Sequence, residues 1–184
     1  SSNYNNPILK SLLSTSVKVT PEIFPKIDKC IQSVFKKLEV KNNFNFFISA
    51  NHNQTQAACA MMPESDSAEI IITSRMIELL NMPELAYVVG HEVSHHYYQH
   101  NIYPSPNQAK SKMELLKLLH LSRASEISAD RAGFLGSGDI ENSLKAMLKI
   151  ASGLGDEHLT FNFSSYLDQL RELKQIKGDQ NQMY

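Results

Sequence analysis

The chain has 184 residues, 42% of them hydrophobic and 20% charged. That length favours a single domain with a real core, and the composition is ordinary for a globular protein. Lys and Arg total 18 against 19 Asp and Glu, a formal net charge of -1, which excludes a polybasic nucleic-acid coat and a polyacidic tail.

Residues 1–16 are polar and rich in Ser and Asn, with one apolar cluster at Ile8, Leu9, Leu12 and Leu13. They read as a head or docking segment. Thr20 as N-cap and Pro21 as first helical residue open a helix, which Ile23, Ile27, Ile31, Val34 and Leu38 continue at helical spacing. Phe44, Phe46 and Ile48 alternate, Thr55 to Met61 is a run of small apolar residues, and Ala68 to Thr73 carries Ile70, Ile71 and Ile72. With turns at Asn51-His52-Asn53 and Pro63 to Ser67, these predict three strands in an antiparallel meander. The rest predicts helices: Met76 to Leu80, Asn81 to about His100, and a long one stopped by Gly133, Gly136 and Gly138. Another follows, capped by Asp139, with Ile140, Leu144, Met147, Leu148 and Ala151 on one face. A last helix spans about Ser164 to Ile176. The expected division is a head at 1–19, one domain at 20–177 and a tail at 178–184.

No stretch reads as a membrane span or a signal peptide. The uncharged segment Asn42 to Pro63 is full of Asn and Gln, which a bilayer would desolvate. Ser1 reads as the cut end of a longer protein or a leftover of expression. A membrane anchor upstream of it, and the compartment, therefore stay open. Cys30 and Cys59 cannot make a disulfide framework and read as two buried thiols rather than a bridge.

The informative segment is His91-Glu92-Val93-Ser94-His95. On a helix, His91 and His95 lie one turn apart on one face and can bind one metal ion together. Glu92 lies about 100° further round the axis, where it can take a proton from a metal-activated water. His96 and His100 are also four apart, but Tyr97 between them is no proton acceptor, so they read as exposed or as supporting groups. Two histidines and a water leave tetrahedral zinc one protein ligand short. Glu126 and Asp130, again four apart, supply a third ligand and a second carboxylate able to hold a histidine's other nitrogen.

These segments resemble the CAAX-prenyl-protease/HtpX-like zinc metallopeptidases. The resemblance is carried by Ala68-Glu69-Ile70-Ile71-Ile72-Thr73-Ser74, Met76-Ile77-Glu78-Leu79-Leu80, and Pro83-Glu84-Leu85-Ala86 leading into Gly90-His91-Glu92-Val93-Ser94-His95. It continues in Ser122-Arg123-Ala124-Ser125-Glu126-Ile127-Ser128-Ala129-Asp130. It implies an α+β, mostly helical gluzincin-like fold, here with a small three-stranded antiparallel sheet over the HExxH helix. It also implies one catalytic Zn²⁺ on His91, His95 and Glu126, with Glu92 as general base and then acid. Asp130 would hydrogen-bond His91. The strand at Ile70, Ile71 and Ile72 would form the cleft edge, where an extended peptide adds by main-chain hydrogen bonds.

Two departures stand out. Some relatives carry membrane spans between the zinc helix and the third ligand, whereas Tyr97 to Ser125 reads as a loop and a polar-faced helix. Many relatives also carry a His-Pro and an Arg near the C-terminus, and the stretch Asn162 to Leu173 has no His-Pro. His158, Tyr166 and Arg171 are the candidate transition-state donors, and the sequence does not choose among them. The expected function is a zinc-dependent metalloendopeptidase acting on peptides or unfolded proteins, with no nucleic-acid partner. The rivals are a non-catalytic zinc-stabilised interaction or chaperone-like domain, and a latent peptidase with a covered cleft.

Overall fold

The computed structural model describes residues 6–41, 43–61, 67–169 and 171–172. All but the last residue of the expected turn at Pro63 to Ser67, the end of the expected last helix at 173–176 and the tail at 178–184 lie outside the described residues.

Helix α1 (Pro7–Thr15) starts where Asn6 accepts hydrogen bonds from the Ile8 and Leu9 amides. A two-residue strand β1 (Val17–Lys18) follows, then α2 (Pro25–Leu38). The start of α2 differs from the expectation at Pro21. A proline ring at 25 would meet the carbonyl four residues earlier, and Phe24, preceding a proline, is kept out of the helical region at φ -127°, ψ 63°. Residues 21–23 form a turn on the Thr20 carbonyl instead.

Strands β2 (Phe44–Ser49), β3 (Ala57–Met61) and β4 (Ala68–Thr73) lie where the pattern predicts, but their arrangement differs. The sheet has four strands in the order β1-β2-β4-β3, with β2 and β4 parallel and the other two pairs antiparallel. The three-stranded antiparallel meander is therefore corrected to a mixed sheet. The cause is burial. In β4 both faces are covered, with Ala68, Glu69, Ile70, Ile72 and Thr73 all buried, so the most apolar strand takes an interior place. The small residues of β3 go to the edge. Ile70 to Ile72 are thus not a cleft edge: β2 pairs with β4 on one side and β3 on the other.

Phe46, Ile70 and Ile72 face a core shared with Ile31, Val34 and Phe35 of α2 and with Leu85, Val89 and Val93 further on. The alternate residues Phe47 and Glu69 point to the opposite face and are also fully buried. There Asn6 donates to Glu69 Oε1 at 3.2 Å. Both cysteines are free thiols, which favours the thiol reading; burial raises Cys30 to about 11 and, chiefly, Cys59 to about 12.

After β4 come α3 (Ser74–Leu79), α4 (Met82–Tyr97), α5 (Lys112–Ser137) and α6 (Ile140–Ser152). Asn81 and Glu84 form a capping box at the start of α4. Gly133 and Gly136 do not stop α5, which runs through both and ends at Gly138, φ +71°. They let other elements approach instead. A Cβ at Gly133 would stand 2.6 Å from the Tyr87 ring, and one at Gly136 would stand 3.0 Å from Val34. In α6 the buried face is Ser143, Ala146 and Lys149, while Ile140 is 70% exposed. Polar groups can hold that face because Lys149 Nζ meets Glu84 Oε2 at 2.8 Å and Ser143 donates to the Asp139 carbonyl.

Residues up to Gly153 form one compact unit and those from Leu154 a second. In the second, residues 163–169 are helical and Arg171 pairs with Asp168 at 2.7 Å.

Candidate metal centre

Helix α4 is buried along most of its length, and its His91–His95 face turns toward α5. His91 Nε2 and His95 Nε2 are 3.1 Å apart, and Glu126 Oε2 of α5 lies 3.5 Å from His91 Nε2. One donor atom from each of these three residues falls within 4.8 Å of the others. Donors bound at about 2.0–2.1 Å around a tetrahedral zinc ion would sit about 3.3 Å apart. The donor set therefore fits one zinc ion.

The far sides of both imidazoles are engaged. His91 Nδ1 lies 3.1 Å from Asp130 Oδ1, which also accepts the Tyr87 hydroxyl at 2.7 Å. Burial works to raise the Asp130 pKa, but the bonds from His91 and Tyr87 outweigh it and leave the carboxyl below its ordinary range. Burial works to lower His91, and here the Asp130 bond and the carboxylates of Glu92, Asp130 and Glu126 outweigh it, so its pKa is raised. His95 goes the other way. Burial, with His91 and His100 beside it, takes it down to about 4, which favours the neutral ring, the form in which an imidazole can bind a metal.

Glu92 is buried and offset from the histidine face. Burial chiefly raises its pKa; His91 lowers it, Glu126 raises it and a hydrogen bond with the Cys59 backbone lowers it. That bond places Glu92 beside the edge strand β3.

The match to a family model decides the lineage: residues 21–114, just over half of the chain, match peptidase family M48. The chain belongs to peptidase family M48. It is therefore a metallopeptidase of the CAAX-protease/HtpX-like group. No curated protein matches the chain. The M48 match takes in α4 and both histidines but ends before Glu126, so the third donor rests on the geometry.

Tyr87 and Ser128 join the site without a signal in the motif spacing, and His100 takes the second of its two expected places, that of a supporting group. Tyr87 sits in an apolar run, yet it lies four residues before His91 and so shares its face. His100 Nδ1 lies 3.1 Å from His95 Nδ1, and Ser128 Oγ lies 2.9 Å from His100 Nε2. His96 is half-buried, edge-on to Phe44 at 5.2 Å. His158, Tyr166 and Arg171 belong to the second unit. No described helix is long and apolar enough to cross a membrane.

Proposed function

We propose that this M48 chain is a zinc-dependent endopeptidase, with His91, His95 and Glu126 as ligands and Glu92 as the proton carrier. One observation supports the reading most. His91 and His95 each engage a neighbour through Nδ1, and their Nε2 atoms converge at 3.1 Å beside Glu126. Two imidazole lone pairs brought together in this way are stabilised by a shared cation.

A bound zinc ion would polarise a peptide carbonyl and make a water acidic enough to lose its proton near neutral pH. Glu92 takes that proton and returns it to the leaving amine. Its raised pKa suits both halves of the task. Asp130 holds His91 in the tautomer that leaves Nε2 bare, and Tyr87 holds Asp130. The peptide adds as an extended strand to β3 rather than β4, because β3 is the edge beside Glu92. In this reading residues 20–177 make up the peptidase domain, 1–19 its head and 178–184 a tail.

The test is metal analysis followed by digestion of a peptide library with and without chelator. About one zinc per chain and chelator-sensitive cleavage are expected. Zinc without cleavage of any peptide would favour a non-catalytic zinc domain, and cleavage appearing only after trimming would favour a latent peptidase.

A further inference from the structure

We infer that His100 is a positioning residue for His95, and that a hydrogen-bond chain through Ser128 and His100 fixes which nitrogen of His95 faces the metal. The inference rests on the zinc reading for what His95 faces. The polarity of the chain follows from the Ser125 contact together with a cation shared by the two facing Nε2 atoms.

The chain starts at the Ser125 carbonyl, which can only accept. Ser128 Oγ lies 2.9 Å from it and donates to it. A hydroxyl has one proton, so toward His100 Nε2, at 2.9 Å, Ser128 can only accept. His100 Nε2 therefore carries the proton, and in a neutral imidazole Nδ1 is then bare. His95 Nδ1 lies 3.1 Å from that bare nitrogen and must donate to it. The neutral His95 ring then keeps Nε2 bare, and Nε2 is the atom beside His91 Nε2. The opposite polarity would leave the Ser125 contact without a donor and put a proton on His95 Nε2, aimed at His91 Nε2 and barring a cation from that side. Only the first direction satisfies the three contacts from Ser125 to His95 and leaves the two facing Nε2 atoms to a shared cation.

The backbone makes this arrangement by an unusual step. Gln99 takes a left-handed conformation at φ 54°, which ends α4 and folds the His100–Ile102 turn back over it. His100 then stacks edge-on to His95 with ring centres 5.0 Å apart. The two zinc-facing histidines are thus held from behind by different chemistry. His91 is held by a carboxylate and a tyrosine, His95 by a neutral imidazole and a serine on the helix that supplies Glu126.

The test uses the full chain, with zinc alone as the probe. Zinc affinity is measured by competition with a chromophoric chelator for the wild type, His100→Phe, His100→Asn and Ser128→Ala. Ring-nitrogen NMR of the zinc-loaded wild type reads the tautomers. His100→Phe should lose about 10–100-fold in zinc affinity. His100→Asn, whose amide oxygen can accept from His95 Nδ1, should recover most of that loss, and Ser128→Ala should fall between. The spectra should show protons on His95 Nδ1 and His100 Nε2. A His100→Phe affinity equal to wild type, a His100→Asn loss as large as that of His100→Phe, or a proton on His100 Nδ1 would overturn the inference and leave the zinc reading standing. A wild type that binds no zinc would sink the zinc reading and this inference with it.

Discussion

Gly90 of α4 lies against the main chain of Ala132 in α5: a methyl group at Gly90 would stand 2.8 Å from the Ala132 carbonyl oxygen and 3.1 Å from the Gly133 Cα. The neighbour is backbone, so nothing there can swing aside. The two helices that carry the candidate metal donors therefore approach one residue away from His91, at a point where any side chain would separate them.

Gly90→Ala measures that closeness. Alanine favours a helix interior over glycine by about 1 kcal/mol. Forcing a methyl into a filled contact costs about 1–3 kcal/mol. The steric term should win, giving a lower Tm and weaker zinc binding, because Glu126 moves away with α5. A variant of unchanged Tm and unchanged zinc affinity would show that the helices can part freely.

Glu92→Gln keeps the shape of the side chain and removes its ability to take a proton. Zinc content should stay at the wild-type level, while turnover falls by about 10²–10⁴-fold. Metal analysis and a peptide cleavage assay on the same preparation check both halves. Cleavage at the wild-type rate would remove Glu92 from the mechanism.

Tyr87→Phe deletes one of the two hydrogen bonds on Asp130 Oδ1. The expected stability loss is about 0.5–1.5 kcal/mol. Zinc affinity should drop by up to about tenfold, because Asp130 then orients His91 alone. Urea unfolding and zinc titration read the two effects separately.

Lys149→Met leaves the Glu84 carboxylate buried without its cation. Both side chains are almost fully enclosed, at 3% and 1% exposure. Breaking such a pair from one side costs about 3–5 kcal/mol. Adding Glu84→Gln should restore much of this, since glutamine can still complete the capping box with Asn81. Denaturant unfolding of the two single variants and the double variant gives the coupling directly.

Glu69 should give the fold a pH dependence of known sign. Burial outweighs the bonds from Asn6 and Asn45 and raises its pKa above the ordinary carboxylate value. The folded state therefore holds the Glu69 proton more tightly than the unfolded chain does. Its contribution is most favourable below the unfolded pKa. It declines as pH rises through the folded pKa, after which the charged group is a constant penalty. Glu69→Gln should remove that decline, seen by comparing unfolding midpoints of the two proteins from pH 4 to 7. Parallel curves would place the titration elsewhere.

The candidate metal donors are legible because helix geometry alone brings residues four apart onto one face. His91 with His95, and Glu126 with Asp130, needed no tertiary information. The order of the strands did need it. Local alternation locates β2, β3 and β4, but only the burial of both faces of β4 sends it inside and β3 to the edge. The buried face of α6 departs from its apolar periodicity for a related reason. Lys149 counts as polar in any periodicity, and its partner Glu84 is 65 residues away in sequence. The role of His100 depends on the left-handed turn at Gln99, a residue type that gives no warning of it.

The Lys149–Glu84 pair also ties the start of α4 to a segment far along the chain. Every candidate zinc donor is made before Lys149, yet the first turn of the helix bearing His91 keeps a carboxylate without its cation until Lys149 emerges. A chain broken off before that point would hold all three donors and still lack the clamp that seats them. The pair thus makes the seating of the His91 helix depend on a residue that comes after the whole motif-bearing segment.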